Sequence, residues 1–156
     1  MLEALNQLAL VALANSFETM AFLSPAPLEE LRDPPPDVVR VSIFFTGNSS
    51  GIVEMVAPRS LGRLMASNML VADSPSLRDS EDALKELLNV LGGLMIRRWM
   101  SESRDIVEMS LPKLRNFSAE REWSEYIRSP FVTMLDVEGN MVVLRVSDYP
   151  NQRGLL

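Results

Sequence analysis

Asp82-Ala-Leu-Lys-Glu86-Leu-Leu-Asn89-Val-Leu-Gly-Gly93 reads as helix, and its two faces differ sharply. Wound at about 100° per residue and carried on two positions, it gathers Leu84, Leu87, Leu88, Leu91, Leu94 and Met95 into one arc of about 120°. A helix with so wide an apolar stripe covers another layer of the protein. Glu86 and Asn89 fall on the opposite side, about 60° apart, bracketed by Asp82 and Gly93. A carboxylate and a carboxamide three residues apart therefore point outward. They have no deep internal pocket to serve. Any chemistry they perform is on something that docks against this helix.

Outward from this helix, the chain alternates helices and hairpins. Residues 2–22 read as a helix with a long apolar face and no internal Gly or Pro. Residues 24–37 read as a connector, because Pro25, Pro27 and Pro34-Pro35-Pro36 oppose regular structure. Val38 to Phe45 alternates as a strand, with Val39, Val41, Ile43 and Phe45 on one face. After the loop Thr46–Gly51, Ile52 to Val56 returns, which makes a hairpin. Gly47 and Gly51 do not make a phosphate loop, since no Lys follows and the next element is a strand. A helix from Arg59 to Leu70 comes next, and Asp79 or Ser80 is expected to cap the long helix that ends near Met100. Ile106 to Leu111 reads as a strand stopped by Pro112, and residues 113–129 as a loop. Phe131–Val137, the turn Glu138-Gly139-Asn140, and Met141–Val146 form a second hairpin; the tail from Pro150 reads as loose.

A long helix precedes a hairpin twice, which points to a duplicated unit. Matching the apolar faces of the two helices sets Ala12-Leu-Ala-Asn15 against Glu86-Leu-Leu-Asn89, so the first copy keeps the amide and lacks the carboxylate. The expected fold class is α+β: an antiparallel sheet covered by long helices on one face, built from two pseudo-repeated helix–hairpin units. With 156 residues the chain is read as a single domain spanning 1–156.

Composition removes most catalytic chemistries. The chain has no histidine, which excludes Ser-His-Asp and Cys-His nucleophile systems and the usual zinc sites. It has no cysteine, which excludes thiol catalysis, iron–sulfur clusters and disulfides. A net charge of −6 and a pI near 4.7, with no Lys/Arg stripe, argue against nucleic acid as a partner. The apolar run Leu8–Ala14 resembles a signal segment, but the first basic residue is Arg32 and the run is too short to span a bilayer. A cytoplasmic protein with no membrane partner is the expectation. Without secretion, the sequons at Asn48 and Asn116 carry no meaning.

The Glu/Asn spacing alone is a weak signal. It occurs twice, at Glu86/Asn89 and at Glu3/Asn6, and the second lies at a fraying helix start where Glu merely favours the dipole. What distinguishes the first is Gly92-Gly93 inside the helix, each costing about 1 kcal/mol relative to Ala. Gly93 lies one turn beyond Asn89 on the same side, a bare patch that lets another backbone come close. Gly92 can instead serve packing against a neighbouring helix. On the residues alone, a solvated helix face and a functional pair both remain open.

With these residues in hand, the chain resembles the CheC/CheX/FliY family of chemotaxis phosphatases, and its CheX branch most closely. The resemblance rests on Asp82-Ala-x-x-Glu86-x-x-Asn89-x-x-x-Gly93, supported by Phe17-Glu-Thr-Met20 and by the hairpin return Ser50-Gly51-Ile-Val, and it covers residues 3–148. It implies a CheC-like fold and a phosphatase acting on the aspartyl phosphate of a CheY-type response regulator. It implies that Asn89 orients the attacking water and that Glu86 pairs with the regulator's Lys, with Asp82 and Gly93 in the partner contact. The chain would need no cofactor of its own, the Mg²⁺ being supplied by the phosphorylated regulator. The first helix, with Ala12 in the carboxylate's place, would be inactive. The resemblance also implies a homodimer formed through sheet edges, for which Met141–Val146 is read as a long, apolar closing edge.

Two other readings use the same helix. A non-catalytic module would bind or scaffold a response regulator in chemotaxis or two-component signalling. A structural subunit of a flagellar or two-component assembly would carry the pair as a relic. The acidic run Asp79-Ser-Glu81-Asp82 either caps the helix or steers a basic partner, and the cap is the preferred reading.

Overall fold

The computed structural model describes residues 2–30, 32–34, 36–47, 50–103 and 106–148. Asn48 and Ser49 of the first hairpin loop, and the tail from Pro150, lie outside them. The order is α1 (Leu2–Ala21), β1 (Pro25–Pro27), β2 (Val38–Thr46), β3 (Gly51–Pro58), α2 (Arg59–Leu70), α3 (Leu77–Ser103), β4 (Glu108–Met109), β5 (Lys113–Asn116), α4 (Ala119–Tyr126), β6 (Val132–Val137) and β7 (Asn140–Asp148). The strands form one antiparallel sheet in the order β1-β6-β7-β3-β2-β4, with β5 also on β2. The two hairpins meet along β3 and β7, where Val53 faces Val146 and Met55 faces Leu144. This gives the sheet the twofold look expected of a repeated unit.

Alternation along the strands sorts residues between two cores. Val39, Val41, Ile43, Val53, Met55, Val142 and Leu144 face α1, α2 and α3 and share one buried cluster with Leu13, Phe17, Leu84 and Leu88. Their neighbours Val38, Val56, Met141 and Val143 face the other way and pack with Phe117 and Tyr126. The helices α1–α3 thus cover one face, as expected. The other face carries α4, in a region the sequence presents as loop. There the buried Glu54 carboxylate accepts from Arg145 Nε at 2.7 Å, and the Arg145 guanidinium lies 4.1 Å over the Tyr126 ring. Burial, with Glu54 beside it, pushes the Tyr126 hydroxyl above the usual phenol range.

Three further expectations need correction. The first concerns the sheet edge: β7 is not an edge strand but lies between β3 and β6. The closing hairpin is long and apolar because it is interior, so it offers no reason for dimerisation. Second, the Pro-rich connector contributes β1. Leu28 donates its N–H to Met134 O at 3.2 Å, which places Ala26 on the paired side and leaves Pro25 and Pro27 facing outward. There their missing N–H groups cost no ladder bond and discourage further pairing.

Third, the two long helices are out of phase as aligned. Ala12 is only 5% exposed, whereas Glu86 is exposed. Ser16 misleads a hydropathy match: it is fully buried, donating its hydroxyl to Ala12 O at 2.7 Å. The buried run Ala12, Leu13, Ser16, Phe17 of α1 corresponds to Ala83, Leu84, Leu87, Leu88 of α3. Asn15 then stands where Glu86 stands, and Glu18 where Asn89 stands, the two groups in reverse order.

Candidate functional site

The site is built on α3. Its first turn closes a reciprocal cap: Ser76 N–H donates to Asp79 Oδ2, and Asp79 N–H donates to Ser76 Oγ, each at 3.0 Å. Asp79 therefore caps from inside the helix, and the helix starts one turn earlier than Asp79 or Ser80 as cap would place it. Ser80 instead donates its hydroxyl to Ser76 O. The bond from the Ser76 backbone N–H, with the Ser76 hydroxyl and Arg78 adding, holds the Asp79 carboxyl below the usual carboxylate range.

The helix is pinned on its inner side. Leu84, Leu87, Leu88, Leu91 and Met95 are fully buried, and each such side chain is worth roughly 1.5–3 kcal/mol of transfer from water. A Cβ at Gly62 of α2 would sit 2.5 Å from Ser80 O, so α2 crosses α3 closely there. Gly92 allows a second close approach, to the sheet rather than to a helix. A Cβ there would collide with Met109 Sδ and lie 2.7 Å from Ile43 Cδ1. Arg59, at the start of α2, reaches Glu81 at 3.4 Å and ties the two helices at their rim. So anchored, the outer face of α3 is presented on a rigid support.

On that outer face Glu86 is exposed and Asn89 half-buried. Among the described residues neither side chain forms a hydrogen bond or an ion pair. An i, i+3 pair places the two Cβ atoms about 5–6 Å apart. One acceptor-only group and one donor–acceptor group thus stand side by side with their valences open. Gly93 completes the face: a Cβ there would meet nothing within 4 Å. Asp82 is also exposed, but it is engaged, lying 3.6 Å from Lys85 Nζ and 3.8 Å from Arg78 Nε. The structure therefore brings together all four of Asp82, Glu86, Asn89 and Gly93, and Lys85 joins them as a cation that the motif does not include.

The second Glu/Asn spacing separates instead of converging. Glu3 is exposed, whereas Asn6 is 8% exposed, its Oδ1 buried and unpartnered among the described residues. No cluster of three or more metal-ligating side chains occurs among the described residues. No described helix is long and apolar enough to cross a membrane. Clefts of about 500, 400 and 230 Å³ open elsewhere, and no residue of α3 lines them. Glu86 and Asn89 line none of these three clefts. Of the residues that shape their face, the Ser76 cap was within reach of the sequence, as Ser76-Leu-Arg-Asp79 has the capping-box spacing.

Comparison with known proteins follows the same line. The family described as chemotaxis phosphatase CheX matches residues 39–122, more than half of the chain and inclusive of the Glu86/Asn89 helix. No curated protein matches the chain by sequence. A chemotaxis protein CheX from Desulfovibrio desulfuricans is similar in structure, with a TM-score of 0.70 at 16% identity over 94% of this chain and 99% of that one. CheX from Vibrio vulnificus gives 0.61 at 19% identity, covering 90% and 95%. The CheX–CheY–BeF3–Mg²⁺ complex from Borrelia burgdorferi gives 0.64 at 11% identity, also covering 90% and 95%. Identities this low speak for the fold; the family rests on the sequence match. A sheet with two hairpins meeting at its centre, a long helix showing Glu86 and Asn89 outward, and the match over residues 39–122 agree: the chain belongs to the chemotaxis phosphatase CheX family.

Proposed function

We propose that this protein hydrolyses the aspartyl phosphate of a CheY-type response regulator, supplying Asn89 and Glu86 to a centre that the regulator otherwise builds. The observation that carries the proposal is the pair itself: two adjacent polar side chains, without a partner among the described residues, on the outward face of an anchored helix. An outward helix face offers a small substrate few walls. It can enter the open phosphorylation site of another protein. The relative crystallised with CheY, BeF3 and Mg²⁺ supports a partner of this kind.

The chemistry asked of the chain is small. In phosphoryl transfer, positioning and charge stabilisation supply most of the acceleration. The Asn89 carbonyl accepts a hydrogen bond from the attacking water, and its NH₂ donates toward an oxygen of the phosphoryl group. The water oxygen bonds to phosphorus as the bond to the aspartate oxygen breaks, which releases inorganic phosphate and leaves a free carboxylate. An amide brings no negative charge to this centre. The Glu86 carboxylate pairs with the regulator's Lys and fixes the docking register. A Mg²⁺ held by the regulator would supply charge neutralisation at that centre. Asp82 and Gly93 lie in the contact, Gly93 by letting the partner's backbone come down on the helix.

Binding separates this reading from that of a relic surface. Titrated against a beryllofluoride-activated CheY-type regulator, the wild type should bind the activated form in preference to the unmodified one, and Glu86→Ala should weaken that binding about tenfold. Equal affinity for both forms, unchanged by Glu86→Ala, would remove Glu86 from the interface.

A further inference from the structure

The polar pair does not exhaust the outer face of α3. Relative to Asn89, the helix turns Gly93 by about 40°, Arg97 by about 80° and Met100 by about 20°. Met100 therefore lies almost in line with Asn89, some 16 Å further along the axis. It remains 40% exposed, while Met95 on the inner side is fully buried. Arg97 is exposed and forms no ion pair among the described residues. Between Asn89 and Met100 stands Gly93, with open space where a side chain would be. Toward the N-terminus the same face offers Arg78, Asp79, Asp82 and Lys85, charged groups already engaged in the cap or in ion pairs. The apolar part of this face lies on one side of the Glu/Asn pair alone.

We propose that Gly93, Arg97 and Met100 form the affinity-setting half of the docking surface, seated under the same receiver domain that receives Asn89. This rests on the phosphatase reading of the helix. A standard interface covers about 800 Å² per partner, a disc of about 16 Å radius. Centred on Gly93, such a footprint takes in Glu86 and Met100 alike, each about 10 Å along the helix. Methionine and arginine are favoured in the desolvated parts of interfaces, and a thioether adapts to an irregular neighbour. The matching patch on the regulator is an apolar side chain against Met100 beside a carboxylate against Arg97. Glu86 and Asn89 supply chemistry and register; this stretch supplies buried apolar area.

Decay of a phosphorylated CheY-type regulator, followed over a range of regulator concentrations, tests the division. Met100→Lys should raise KM about tenfold with kcat unchanged, and Met100→Leu should restore the wild-type KM. Gly93→Leu, which fills the open space from a different position, should raise KM as well, so a frayed helix end in the Met100 variant does not decide the matter. An unchanged KM in both Met100→Lys and Gly93→Leu overturns the proposal, as does a lower kcat at constant KM. The phosphatase reading fails separately, if Asn89→Ala keeps the wild-type kcat. In that event titration of Met100→Lys with the beryllofluoride-activated regulator still reads the docking surface: weaker binding upholds it and equal binding ends it.

Discussion

Gly92 and Gly93 are chain neighbours in α3 with opposite surroundings. A Cβ on Gly92 would strike Met109 Sδ and approach Ile43 Cδ1, whereas one on Gly93 would meet only open space. Gly93→Ala should therefore stabilise the protein by up to about 1 kcal/mol, the helix-propensity difference. Gly92→Ala should lose that gain and destabilise by about 1–3 kcal/mol, because Ile43 is fully buried and cannot retreat without displacing the core. Urea unfolding of the two variants, side by side, checks the sign of each.

The cap of α3 predicts a pH dependence. Ser76→Ala should cost about 1 kcal/mol by leaving first-turn N–H groups unpaired. Asp79 titrates below its unfolded value of about 3.9 in the native protein, so the folded state binds fewer protons than the unfolded one. Its contribution is complete above about pH 4 and is lost as pH falls through the lower native value. Unfolding midpoints of wild type and Asp79→Asn should differ at pH 7 and draw together as the pH is lowered into the acid range below about 4. Parallel curves across that range would deny the shifted carboxyl.

Val71, which closes α2, is β-branched, 92% exposed, and held at φ 52° and ψ 47°. The left-handed conformation costs a side-chain-bearing residue about 1–2 kcal/mol, and its N–H bond to Ser67 O survives in a glycine. Val71→Gly should raise the melting temperature by about 2–4 °C. A lower melting temperature would mean that the valine side chain makes contacts that outweigh the strain.

Much of the fold was legible because its elements bury wide, regular stripes. Leu84, Leu87, Leu88, Leu91 and Met95 declare α3 by spacing, and the strict alternation of Val39, Val41, Ile43 and Phe45 declares β2. What escaped has little apolar content of its own. The strand β1 is three residues long and two of them are prolines, visible only because β6 offers it a ladder. The helix α4 turns just Trp123 and Tyr126 toward the sheet, against four charged side chains among Ala119–Tyr126. The phase of α1 was hidden by Ser16, a polar residue buried through a bond to its own helix. At the candidate site, spacing alone gave the outward pair. That no partner for it stands among the described residues, and that Lys85 and Arg78 engage Asp82, needed coordinates.

Turnover depends most directly on Asn89. Decay of a phosphorylated CheY-type regulator should be measured with wild type, Asn89→Ala and, as a control from the first helix, Asn15→Ala. Asn89→Ala should lose about a hundredfold in kcat, roughly 2.7 kcal/mol of transition-state stabilisation, with Asn15→Ala at the wild-type rate. Wild-type turnover by Asn89→Ala would contradict this role.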